Sequence, residues 1–336
     1  MRILVWPVHG GWMNAFARGA HEYLLPVGDA APPGLPGNAR AVEPGRLRTE
    51  DVDVVVLQRL EELDETERIL GAVPGRDVPA VFVEHNTPKR RPVDELHPLA
   101  AQDRIPIVHV THVNRLLWDT GDARTVVIEH GIPDSGHLYT GELPALGVVI
   151  NEPVRRGRVT GTDLLPAFSR VAPLHVFGID ADLLPGALGL GPDRLQVIGD
   201  LPTPRLHAEL ARRRAYLHTP RWTSLGLSLL EAMSLGMPVL ALAVTEAPRA
   251  VPPDAGAISA DPEELRAMAA RLMADPDEAR RRGAVARAFA QERYGLDRFL
   301  TDWDVVLDDV VSRHRARTRR APAAPETERP KEGVPS

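Results

Sequence analysis

The run Leu225–Val244, reading LGLSLLEAMSLGMPVLALAV, restricts this chain more than any other segment. By length alone a mostly apolar run of this kind could span a bilayer, yet it carries Glu231 near its middle, followed by Gly236 and Pro238. A carboxylate at the centre of a membrane helix costs roughly 3 kcal/mol. A buried helix, a Gly-x-Pro turn and a buried strand account for each residue without that cost. The run therefore predicts one helix-to-strand step of a soluble α/β protein.

The same rhythm recurs along the chain. Short apolar runs bounded by Gly, Pro, Asp or Asn predict buried strands at Ile3–Trp6, Val52–Leu57, Ala80–Val83, Ile107–Val110 and Val126–Ile128. Segments of helical length, such as Glu61–Leu70 and His112–Trp118, lie between them. After Gly141–Pro144 the pattern resumes with Gly147–Ile150, His175–Phe177, Gln196–Ile198, Ala215–Leu217 and Val239–Leu242. Strand-helix alternation implies parallel, doubly wound sheets, and 336 residues suit two of them. Asp261-Pro262 and Asp275-Pro276, each followed by Glu, predict helix starts with an Asp cap and Pro in the first turn. The expected division is 1–142, 143–293, a last helix at 294–312, and a disordered tail at 313–336, where seven cations and three acids have little to bury.

Composition removes several chemistries. With no cysteine, thiolate catalysis, disulfides and Cys-ligated metal are excluded. The twelve histidines form no metal-binding pattern such as H-E-x-x-H, so no metal is expected. A net charge of -6 argues against nucleic acid as a partner. The first residues meet Pro7 too soon for a signal-peptide core, and a reducing cytoplasm is the expected compartment. The basic tail, set against an acidic body, allows peripheral contact with an anionic membrane.

Chemistry concentrates in Ala215–Leu242. The first N–H groups of a helix opening near Gly226 have no intrahelical acceptor and carry positive potential, which suits an anion. Gly226 lets a phosphate approach the backbone. Side chains lean toward the helix N-terminus, so Glu231 would cover the first turn and could accept hydrogen bonds from the vicinal hydroxyls of a sugar. A plain buried helix with Glu231 bonded to backbone fits the local pattern equally.

Thr223–Val239, reading TSLGLSLLEAMSLGMPV, resembles the E-G-F-G-L-x-L-L-E-A-M-x-x-G-x-P-V pattern of the group 1, family 4-like retaining glycosyltransferases. Gly10-Gly11 after the first strand, the segment Ile128–Asp134, Thr160–Leu165 and Pro262–Trp303 extend the likeness over most of the chain. The resemblance implies the GT-B fold: two Rossmann-like domains facing across a cleft, with a C-terminal helix crossing back to the first. It implies that Glu231 holds the donor ribose, that amides of Leu225, Gly226, Leu227 and Ser228 face a diphosphate, and that Gly10 and Gly11 line the cleft. It implies that His85, near the position of a family His, faces the donor sugar.

The chain departs from the family at two places. Thr223 stands where the first motif Glu is expected, with Ser224 for the following Gly, and Thr160 stands at the usual Lys. A leaving diphosphate needs about two cations; among Arg155, Arg156 and Arg158 the candidates are Arg156 with either Arg158 or Arg155. His109 and His112 suit packing or capping, Glu129-His130-Gly131 an interdomain turn, and Lys89-Arg90-Arg91 a solvated loop or an anionic acceptor. Trp12 and Met13 fit either a core or an acceptor pocket.

The expected activity is transfer of a sugar from a nucleoside-diphosphate sugar, UDP- or GDP-linked, to a hydroxyl-bearing acceptor with retained configuration. Two alternatives stand beside it: a degenerate nucleotide-sugar-binding protein, and a non-hydrolysing nucleotide-sugar 2-epimerase.

Overall fold

The computed structural model describes residues 1–28, 30–222 and 224–320. The first half holds strands β1 (Arg2–Val5), β2 (Glu22–Leu25), β3 (Ala39–Ala41), β4 (Val54–Leu57), β5 (Ala80–Glu84), β6 (Glu95–Leu96), β7 (Ile107–His109), β8 (Trp118–Asp119) and β9 (Thr125–Val127). Its helices are α1 (Gly10–Phe16), α2 (Glu61–Leu70) and α3 (His112–Leu117). Seven strands form a parallel sheet in the order β3-β2-β1-β4-β5-β7-β9, while β6 and β8 pair separately.

The second half contains β10 (Leu143–Val149), β11 (Leu174–Phe177), β12 (Leu195–Gly199), β13 (Arg213–His218), β14 (Val239–Leu242) and β15 (Gly256–Ser259). Between and after them come α4 (Pro153–Arg156), α5 (Leu165–Phe168), α6 (Leu184–Leu188), α7 (Thr203–Leu210), α8 (Leu227–Leu235), α9 (Ala247–Ala250), α10 (Pro262–Ala274), α11 (Pro276–Tyr294) and α12 (Leu296–Arg320). Its six strands are also parallel, in the order β12-β11-β10-β13-β14-β15. This is the expected pair of doubly wound sheets.

Alternation along the strands divides each sheet between two cores. Ile3, Val5, Val54, Val56, Val81 and Val83 point to the face covered by α1 and α12; Leu4, Val55, Leu57, Ala80 and Phe82 fill the opposite face. In the second sheet Val239 and Ala241 pack with α8, whereas Leu240 and Leu242 pack with α10. Both Asp-Pro starts form as expected: the side chains of Asp261 and Asp275 accept from the N–H groups of Glu263 and Glu278. Among the described residues no helix is long and apolar enough to cross a membrane.

The last helix packs its Phe299, Trp303, Leu307 and Val310 into the first sheet's core, a stripe at helical spacing. It runs to Arg320, so order does not stop at Arg313 as its charge suggests. Arg313 pairs with Asp309 at 2.7 Å, His314 Nε2 donates to the Arg76 carbonyl at 3.0 Å, and Arg317 donates to the Asp103 carbonyl at 3.0 Å. These partners extend the helix beyond its apolar stripe. The expected tail from 321 onward lies outside the described residues.

The connection between the sheets is held by the helices that follow the second one. Ile132 N–H donates to the Tyr294 carbonyl at 2.8 Å. Arg293 grips Glu129 (3.1 and 2.7 Å), and Arg287 grips Asp134 (3.0 and 2.9 Å), which holds the Asp134 carboxyl below its ordinary range. A Cβ at Gly131 would overlap Phe299.

His109 closes β7 with no exposed surface, and neither ring nitrogen has a hydrogen-bond partner among the described residues. Burial pushes its pKa from about 6.5 down to about 3. The unfolded chain therefore takes up a proton there below about pH 6.5 while the folded chain does not, so stability is full above that pH and falls as pH drops toward 3. At pH 5 this one imidazole accounts for about 2 kcal/mol. Urea unfolding at pH 7 and pH 5 should show a loss smaller by about that amount in His109→Leu than in the parent; equal losses would contradict the assignment. Trp303→Ala, which empties the packing between α12 and the first sheet, should lower unfolding free energy by about 3–5 kcal/mol in the same assay.

Candidate active site

Ligands of open parallel sheets bind beyond the carboxyl ends of the strands, where the strand order reverses. In the second sheet that point lies between β10 and β13, and in the first between β1 and β4. The loops after β10 and β13, and the turn after β1, are therefore the ones positioned to bind. These segments hold most of the residues singled out from sequence.

Strand β13 is buried throughout and is followed by Thr219-Pro220. Helix α8 then starts at Leu227 with Gly226 as its cap residue, no capping side chain and no acid in its first turn. The orphan N–H groups of that turn keep their positive potential. The His218 ring packs under this turn, 2.7 Å from where a Gly226 Cβ would sit. Tyr216 OH donates to Ser228 Oγ at 2.9 Å and lies 3.3 Å from His218 Nδ1. Burial lowers the His218 pKa to about 4 and raises that of the Tyr216 phenol, so both are neutral near pH 7.

Leu229, Leu230, Ala232, Met233, Ser234 and Leu235 of α8 are buried. Glu231 is not: its side chain is 23% exposed, and Oε2 lies 3.7 Å from His207 Nε2. An accessible carboxylate thus sits one turn inside an uncapped helix. Leu225 packs into the core, leaving its backbone as the part available to a ligand. Thr223 lies outside the described residues.

The three arginines after β10 are not equivalent. Arg155 donates to Glu152 (Nε to Oε1, 2.7 Å), and Arg158 donates to Asp163 at 2.8 Å. Arg221 takes both Asp163 oxygens, at 2.6 and 3.0 Å, and also donates to the Arg158 carbonyl. Among the described residues, no carboxylate stands within 4 Å of Arg156. Sequence reading passed over Arg221, although its place just beyond β13, at the reversal of strand order, was a usable signal. Thr160 is buried; its hydroxyl donates to the Gly157 carbonyl at 3.0 Å, and its own carbonyl accepts from Thr219 Oγ1 at 2.7 Å.

In the first domain, His85 follows β5 with its ring tilted against that of His9 (centroids 3.9 Å apart) and edge-on to Trp12 (5.3 Å). Trp12 and Met13 are buried core residues. Gln58 Nε2 donates to the Trp6 carbonyl at 2.6 Å, which turns its Oε1 toward His85 Nε2 at 3.0 Å. His85 Nε2 must then carry the proton, leaving the Nδ1 lone pair as acceptor. Burial, reinforced by His9 and His130, holds the His85 pKa well below its ordinary value and the ring neutral. His130 is buried in the connection, whose backbone Arg298 grips at 2.9 and 2.7 Å. Backbone N–H groups of Arg90 and Arg91 donate to Glu95 at 2.9 and 3.3 Å, folding the basic loop onto a local acid.

The two domains meet around this site. A Cβ at Gly11 would lie 2.6 Å from Leu227 Cδ1, so the glycine turn after β1 faces the start of α8; Gly10 beside it is open. Thr111 Oγ1 lies 3.2 Å from Ser224 Oγ, and Val113 N–H donates to Glu246 Oε2 at 2.9 Å. Gly10, Gly11, Ser224, Gly226, Leu227 and Ser228 are thus brought to one cleft. Glu246, buried and 3.1 Å from Arg249, was not anticipated, because its partner comes from the other domain.

A family model described as glycosyl transferases group 1 matches residues 186–289, the stretch that contains α8 and Glu231. No curated protein matches the chain. Among solved structures, sucrose-phosphate synthase from Thermosynechococcus elongatus superposes with a TM-score of 0.67 at 14% identity, covering 93% of this chain and 100% of that one. HepE of Anabaena in complex with UDP-glucose gives 0.67 at 16% identity, with 92% and 100% covered. TarM of S. aureus gives 0.57 at 14% identity, with 76% of this chain and 55% of that chain covered. The chain has the GT-B fold and resembles the group 1 glycosyltransferases, as its motif implied.

Gly161 fixes the loop that carries the arginines. Its φ is +73°, and an added Cβ would overlap the Thr219 carbonyl oxygen. Gly161→Ala should lower stability by at least about 2 kcal/mol in urea unfolding; an unchanged midpoint would mean that the loop relaxes freely.

Proposed function

We propose that this chain is a retaining glycosyltransferase that moves a sugar from a nucleoside-diphosphate sugar to a hydroxyl-bearing acceptor. One observation carries the reading: an uncapped helix start at the strand-order reversal, with an accessible carboxylate one turn later and the glycine turn of the other domain opposite. Diphosphate oxygens accept from the amides of Leu227 and Ser228, where the helix potential stabilises them. Glu231 accepts from the ribose hydroxyls. Arg156, with no carboxylate within 4 Å among the described residues, supplies positive charge to the leaving diphosphate, aided by Arg155 and Arg158 when they release their partners. His85, neutral, accepts from a donor-sugar hydroxyl through Nδ1.

The acceptor enters from the first domain. Its oxygen forms the new bond to the anomeric carbon as the bond to phosphate breaks, and the departing phosphate oxygen takes the acceptor proton. Catalysis is then positioning plus leaving-group stabilisation. HepE, which binds UDP and UDP-glucose, makes a UDP-sugar the first donor to test, with GDP-sugars beside it.

A second reading, nucleotide-sugar binding without turnover, is favoured by the ion pairs that occupy Arg155 and Arg158 and by the buried Thr160. Tight binding with no transfer across a broad acceptor panel would select it.

In a thermal-shift series of UDP, GDP, ADP, TDP and their common sugars, one base class should stabilise the protein by about 2.7 kcal/mol at 100 times its Kd. Glu231→Ala should weaken that ligand about 10- to 100-fold, the loss of hydrogen bonds to a charged acceptor. A folded sample that no nucleotide shifts, or a Glu231→Ala variant with unchanged affinity, would remove the proposed donor site.

A further inference from the structure

We infer that His207 is a positioning residue for Glu231, and that Ser135, next to the interdomain connection, sets its proton. The inference rests on the donor site proposed above and concerns how that site orients its ribose-binding carboxylate. His207 lies on α7, which packs against α8, and is 5% exposed. Its Nε2 is buried without a hydrogen-bond partner among the described residues. The Glu231 carboxylate faces it, with Oε2 at 3.7 Å. On the far side of the ring, Nδ1 lies 3.0 Å from Ser135 Oγ.

A serine hydroxyl that donates to Nδ1 leaves the imidazole proton on Nε2, directed at Glu231. Ser135 is itself fixed by its neighbour: Asp134 accepts from Arg287 at 3.0 and 2.9 Å and from Gly136 N–H at 2.9 Å. At 3.7 Å the His207–Glu231 contact is longer than a hydrogen bond. Site contacts of this kind are often long without ligand and shorten when it binds. Closing the gap satisfies a buried donor that otherwise has none, which ties the orientation of Glu231 to ligand binding. One carboxylate oxygen then belongs to His207 and the other is presented to a vicinal diol.

The test measures the Kd of UDP and GDP, each beside its 2′,3′-dideoxy analogue, by titration calorimetry. The parent protein should prefer the ribose form of the nucleotide it binds by about tenfold or more. His207→Ala and His207→Asn should cut that preference several-fold while leaving the dideoxy affinity unchanged, because neither side chain reaches Glu231. His207→Gln, whose amide nitrogen takes the place of Nε2, should retain it. Ser135→Ala should reduce it in part. Equal weakening of ribose and dideoxy forms in folded His207→Ala, or no change in either, would overturn the inference and leave the donor site standing. A parent protein that binds neither nucleotide, or does not distinguish the two sugars, would overturn the donor site and this inference with it.

Discussion

Parallel pairing is the constraint from which the architecture follows. A strand that returns parallel to its neighbour must cross over the sheet, so helices cover both faces and the strands between them become apolar throughout. Both sheets here obey this, with separate cores on their two faces. Because each winds outward in two directions from a central strand, each must open a crevice where the order reverses. Gly11 lets the two crevices approach closely, since a Cβ there would press onto Leu227, while Gly226 lets the start of α8 close over His218 of its own domain.

The cleft owes its charge pattern to economy among the acids. Asp163 pairs with two arginines and Glu152 with one, and among the described residues Arg156 is the arginine of its loop with no carboxylate within 4 Å. Exposed pairs of this kind are worth little individually, so displacing either arginine from its acid costs little. The buried histidines follow the opposite rule. His85, His130 and His218 are kept neutral by burial, and a neutral ring offers one donor and one acceptor instead of a second cation.

Much of this was legible in the residues. Val54–Leu57 and Val239–Leu242 are continuous apolar runs, and such runs announce central parallel strands. Ala39–Ala41 and Gly256–Ser259 went unread because edge strands need little apolar surface, and both lie at sheet edges. The helix carrying Glu231 was readable from its own composition and Arg221 could have been picked out by its place after β13, but the partners of Arg221, Glu246 and His207 were not readable. Each acts on a partner between 24 and 133 residues away, a relation set by packing. The extent of the last helix was obscured for the same reason, since carbonyls of Arg76 and Asp103 support a segment that looks merely basic.

The return of α12 to the first sheet makes the first domain discontinuous. Phe299, Trp303, Leu307, Val310 and Val311 complete a core whose other buried members lie before residue 129. During synthesis, the sheet's strands are all made long before that helix emerges; at typical elongation rates the interval is on the order of ten seconds or more. The part of one apolar face that α1 does not cover stays open throughout, while the second domain, whose sheet closes within a contiguous stretch, can finish first. A helix near the end of the chain thus locks the sheet that the chain's first residues begin.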